Sequence, residues 1–81
     1  MQITYTSPVK GLHIAEVPTG TLKISRVPGH GLMGVHKPNE GRAQVLVSPG
    51  KVRTLNDLKV ALVEEWKTMV GLGIDTARFI N

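Results

Sequence analysis

Leu12-His13-Ile14-Ala15-Glu16-Val17-Pro18-Thr19-Gly20-Thr21-Leu22-Lys23-Ile24-Ser25-Arg26-Val27 holds two alternating runs separated by Pro18-Thr19. Leu12 and Ile14 alternate against His13 and Ala15, and Leu22 and Ile24 against Lys23 and Ser25. That is the period of two expected of half-buried strands. Between the runs, Val17-Pro18-Thr19-Gly20 suits a tight turn, because proline presets φ at the second position and glycine accepts a positive φ. The segment reads as a β-hairpin.

Working outward, residues 2–6 also alternate, with Ile3 and Tyr5 on one face, and Ser7-Pro8 is expected to end that strand because proline has no N–H to donate. Downstream, Pro28-Gly29-His30-Gly31 punctuates the chain. Residues 32–36 and 42–48 then flank a loop, Lys37-Pro38-Asn39-Glu40-Gly41, as a second hairpin. Ala43-Gln44-Val45-Leu46-Val47 is the most apolar of the strand candidates, which predicts a central place in the sheet. Ser48-Pro49-Gly50 turns the chain again.

One helix follows. Thr54 with Asp57 three residues on resembles a capping box, and residues 54–70 contain neither glycine nor proline. At 100° per residue, Leu55, Leu58, Leu62, Val63, Trp66, Met69 and Val70 share one broad face. Lys59 falls within that arc, so its stem is expected to lie along the boundary. Gly71 or Gly73 is expected to stop the helix. Ile74, Phe79 and Ile80 are too apolar for a free tail, which predicts a short packed strand or turn over residues 74–81. The fold class is therefore α+β: a small, mostly antiparallel β-meander of four to five short strands, with one C-terminal amphipathic helix on one face. It forms a single domain, 1–81, with a β-rich part (1–53), the helix (54–71) and a packed C-terminal segment (72–81). One helix shields one face of a sheet, so the other face is either wet or covered by a partner.

Eighty-one residues leave little core from which to hollow a deep cleft. The absence of cysteine excludes disulfides and thiolate metal sites and points to a reducing, cytoplasmic location. The start lacks the basic and apolar regions of a signal peptide, and no apolar run approaches the ~20 residues of a membrane span, so a soluble protein is expected. The net charge of +4 is uneven, with +5 in residues 1–53 and −1 in residues 54–81. A basic half can attract nucleic acid or an acidic protein surface.

Motifs that resemble chemistry do not survive their context. Gly29-His30-Gly31-Leu32-Met33-Gly34 has G-x-G-x-x-G spacing, but the following Val35-His36-Lys37-Pro38-Asn39 cannot open the helix that a dinucleotide site needs. The glycines instead permit a turn and a bulge. Gly50-Lys51 lacks the Ser or Thr of a phosphate-binding loop, having Val52 there. His13, His30 and His36 show no recurrent metal-ligand spacing and read as exposed loop or strand residues. Ser7, Ser25 and Ser48 have no nucleophile motif around them, and adjacent Glu64 and Glu65 diverge by about 100° on a helix. Trp66 and Met69 sit at core spacing. No catalytic, cofactor-binding or metal residue is assigned.

The order Gly34-Val35, Gly41-Arg42-Ala43-Gln44-Val45 and a helix carrying Leu58 and Ala61 resembles that of ethylene-response-type and integrase arm-type DNA readers. Their small antiparallel sheet enters the major groove, backed by one helix. The resemblance spans residues 34–66 and places a third strand at residues 51–54. Stacking on single-stranded nucleic acid is disfavoured, since the chain has one Tyr, one Trp and one Phe.

What remains is a small non-enzymatic binding or regulatory protein, an inhibitor of or adaptor to a larger protein or complex. The partner is a protein, one with an acidic surface if binding is electrostatic, and the chain is a monomer or homodimer without a membrane partner. Nucleic-acid binding by a basic sheet face and a structural role in an assembly are the alternatives. Lys23, Arg26, Lys37, Arg42, Lys51 and Arg53 are the candidate partner-binding residues.

Overall fold

The computed structural model describes residues 3–80, with side chains through Gly71. Five strands, β1 (Thr6–Val9), β2 (Leu12–Val17), β3 (Gly20–Val27), β4 (Gly31–Pro38) and β5 (Gln44–Val47), form one sheet in the order β1-β2-β3-β4-β5. Every neighbouring pair is antiparallel. The helix α1 (Leu55–Ile80) lies across β3, β4 and β5. The architecture is the α+β meander with one helix expected from the periodicity.

The β2–β3 hairpin forms where the sequence places it, with Val17 opposite Gly20 and Ala15 opposite Leu22. Gly20 has a φ of 151°, and a Cβ there would collide with the carbonyl oxygen of Lys37 on β4. No other residue type fits that corner. The helix start is also as expected: the Asp57 amide donates to Thr54 Oγ1 at 3.1 Å, and Leu58 N–H donates to the Thr54 carbonyl at 3.0 Å. Ala15, Val17, Leu22, Ile24 and Val47 on the sheet meet Leu58, Leu62 and Trp66 on the helix as the buried core. Gly34 lets the two layers close up, since a Cβ there would stand 3.1 Å from Leu62 Cδ1.

Several details differ from the sequence expectation. The first strand is Thr6–Val9, so it contains Pro8 instead of ending there. An edge strand tolerates proline because one side of its backbone needs no ladder partner. Ile3 and Tyr5 still pack against the core, though from irregular chain before β1. Within β2 the faces are reversed: Ala15 and Val17 are buried, and Ile14 pairs with Lys23 on the opposite face. β5 is an edge strand, not a central one, and the central strand is β3. Residues 51–54 form bends, not the third strand that the DNA-reader order requires. The helix does not stop at Gly71 or Gly73 but runs to Ile80. The expected packing of Ile74, Phe79 and Ile80 lies outside the described side chains.

Candidate partner-binding face

Strand alternation divides the sheet into a face under α1 and a face with, among the described residues, no element over it. On the open face, Lys23 in β3 has Ile14 as its partner on β2 and Val35 as its partner on β4. Val35 in turn pairs with Val45 of β5, beside a β-bulge at Gly34/Val35. Flanking this row, Thr21 stands between Glu16 and Lys37, and Ser25 opposite Met33. Val45 is 51% exposed and Val9, on the edge strand β1, 59%. Ile14, Met33 and Val35 are half-buried among their own neighbours.

A groove of about 500 Å³ runs over β3, β4 and β5 on this face. Its floor is Met33, Val35, Ala43 and Val45, and the polar groups in its wall are Lys23, Lys37 and Ser25. Lys37 Nζ donates to the carbonyl oxygens of Gly41 at 3.0 Å and Pro38 at 3.3 Å, which ties the β4–β5 loop back onto its strand. An ammonium has three donors, so one N–H remains for a ligand. Glu16 is the one carboxylate in the five strands. It accepts from Thr21 Oγ1 at 3.4 Å, outside the groove lining.

Of the six basic residues singled out from sequence, only Lys23 and Lys37 line this groove. Arg26 shares the alternation of Leu22 and Ile24 and projects, exposed, from the helix side of β3. Arg42 belongs to the β4–β5 loop, and Lys51 and Arg53 to the connection into α1. They do not form one basic stripe. The residues that sequence reasoning missed are the apolar floor: Met33, Val35 and Val45. Their signal was present in Leu32-Met33-Gly34-Val35 and Val45-Leu46-Val47, where apolar residues occupy both alternating positions. Such strands have two apolar faces, whatever their place in the sheet.

A polar network lies beneath the opposite face. Trp66 Nε1–H donates to Thr19 Oγ1 at 2.9 Å, and the same hydroxyl is 2.9 Å from His36 Nε2. The hydroxyl accepts from the indole and is hydrogen-bonded to the neutral imidazole at Nε2, so one oxygen serves both rings. His36 is buried at 4% exposure, not an exposed strand histidine as its sequence position suggests. Desolvation lowers its pKa below the ordinary 6.5, so it stays neutral. This network joins the β2–β3 turn, β4 and α1, and none of its three residues lines the groove.

Among the described residues no group of three or more His, Cys, Asp or Glu could hold a metal ion, and no helix is long and apolar enough to cross a membrane. The chain matches no family model, no curated protein and no solved structure.

Proposed function

We propose that this chain is a non-enzymatic binding module that docks a protein partner on the open face of its sheet, acting as an inhibitor of or adaptor to a larger protein. The observation that carries the reading is the apolar floor of Met33, Val35 and Val45 on a face that, among the described residues, no element covers. An 81-residue domain has few apolar side chains to spare, yet Val45 is exposed and Met33 and Val35 are half-exposed beside it, an apolar cluster of the kind that marks interaction sites. Arg26, Arg42, Lys51 and Arg53 do not line the groove, so its face offers only Lys23 and Lys37 as cations, fewer than a surface tracking successive phosphates needs.

The test is affinity capture with tagged wild type and with Val45→Glu, from lysate with and without nuclease. A protein retained by wild type in both lysates, and lost with Val45→Glu, supports docking on this face. Recovery that disappears with nuclease, or that Val45→Glu leaves intact, sinks it.

A further inference from the structure

We infer that the open-face groove recognises an extended protein segment in which a carboxylate is flanked by apolar side chains, with Lys23 as the residue that reads the carboxylate. The inference rests on the protein-docking reading above and names the chemistry of its partner.

The argument starts from what surrounds Lys23. Its cross-strand neighbours on the face are Ile14 and Val35, and Val45 and Met33 lie beyond them. Thr21 and Ser25 flank Lys23 on β3 and Glu16 is diagonal to it on β2, so the face is mixed. Its ammonium still loses water when the apolar part is covered, which costs free energy unless the occupant supplies an opposite charge. A wholly apolar occupant would therefore be penalised at Lys23. A carboxylate there makes a charge-assisted hydrogen bond in a setting drier than bulk water, where its attraction is stronger.

Lys37 lies two residues beyond Val35, the partner of Lys23, so it is the diagonal neighbour on the next strand. Diagonal positions on one sheet face are about 7–8 Å apart, close to the ~6.6 Å between side chains two residues apart on an extended chain. A segment laid over the groove thus brings alternate side chains to Lys23 and to the free N–H of Lys37. The intervening and flanking side chains fall on Val35, Met33 and Val45. Ser25 adds a hydroxyl that can donate to the segment's backbone.

A second copy of this chain is the poorer occupant. It would bring the same two ammonium groups to the interface with one carboxylate, Glu16, placed outside the groove. Like charges brought together across a dry apolar layer oppose association. The net charge of +4 adds long-range repulsion between copies and attraction for an acidic partner.

The experiment selects a phage-displayed random peptide library on the immobilised full chain, then measures the affinity of one synthesised selected peptide. The inference expects sequences enriched in Asp or Glu flanked by Leu, Ile, Val or aromatic residues. Lys23→Glu should weaken the peptide at least tenfold, and Lys23→Arg should largely preserve it. Arg26→Glu and Lys51→Glu, equal in charge change but off the groove, should alter affinity less than threefold. Amide NMR spectra of each variant confirm that the fold is retained. Enriched peptides without acidic residues, still displaced by Val45→Glu, would overturn the carboxylate inference while leaving protein docking on this face standing. Peptides that bind Lys23→Glu and Val45→Glu as well as wild type would overturn both, as would no enrichment over an unrelated control protein. A dimer by sedimentation that Val35→Glu dissociates would overturn the inference in favour of a second copy.

Discussion

Replacing Thr19 with valine should cost this domain a large part of its stability through one oxygen atom. Thr19 Oγ1 accepts from Trp66 Nε1 and lies against His36 Nε2, both at 2.9 Å. Valine keeps the β-branched shape and the backbone preference of threonine but neither bond. The indole N–H and the imidazole Nε2 are then both stranded, in side chains 2% and 4% exposed. An unsatisfied buried group costs about 1–3 kcal/mol, so the pair comes to about 2–4 kcal/mol after local relaxation. A domain of this size has roughly 4–12 kcal/mol in all. Thr19→Ser retains the hydroxyl and loses one methyl, worth about 0.8 kcal/mol. Urea titration followed by the emission of Trp66, the single tryptophan, separates the two variants. At a slope of about 1 kcal/mol per molar, Thr19→Val should move the midpoint down by roughly 2 M or more and Thr19→Ser by less than about 1 M. Equal shifts for the two variants would refute the claim that the hydroxyl bridges helix and sheet.

Further outcomes follow from neighbouring groups. Because burial depresses the His36 pKa, the unfolded chain takes up a proton that the native one refuses; stability should be full above about pH 6.5 and decline as pH falls below it, and His36→Gln should flatten that decline in pH-dependent urea titrations. Tyr5, the single tyrosine, donates to the Lys59 carbonyl at 3.2 Å and has its pKa pushed up to about 12 by desolvation. Its ultraviolet ionisation should therefore begin well above pH 10, with stability intact below pH 10 and lost as pH rises toward 12, whereas a midpoint near 10 would show the ring to be solvated. Gly34→Val should destabilise by about 1–3 kcal/mol, because its Cβ alone stands 3.1 Å from Leu62 Cδ1 and two further methyls overfill the layer, and an unchanged thermal midpoint would contradict that packing. Lys23→Glu, on the open face, should leave the urea-derived stability within about 0.5 kcal/mol of wild type while weakening acidic peptides at least tenfold.

The elements were legible in the sequence wherever local chemistry dictates them. The Pro18-Thr19-Gly20 turn and the Thr54 cap each satisfy or preset their own backbone, so β2, β3 and the start of α1 stand where those residues place them. Positions settled by tertiary packing were less legible. Nothing local tells Leu12 and Ile14 that Ala15 and Val17 will face the helix, because both sets alternate and only the register with β3 decides between them. His36 reads as surface until Thr19, 17 positions away and itself held by Trp66, is seen to meet it. The basic residues were over-read as a group, since charge counted along a chain carries no information about which side of a strand it leaves.

The misplacement of β5 connects fold to function. Val45-Leu46-Val47 is apolar on both alternations, and two-sided apolarity ordinarily identifies a strand covered on both faces. In this sheet β5 is an edge strand, with Val47 buried against the helix and Val45 exposed on the open face. The same holds in β4, where Gly34 and His36 are buried and Met33 and Val35 line the groove. These strands thus have the composition of a covered sheet in a chain with one covering helix. A sequence under pressure only for solubility would put Lys, Thr or Glu at positions 33, 35 and 45, as it does at Glu16, Thr21 and Lys37 on the same face. The apolar side chains concentrated over β4 and β5, beside the Lys23 ammonium of β3, are the surface that the proposed partner, with a carboxylate of its own, would cover.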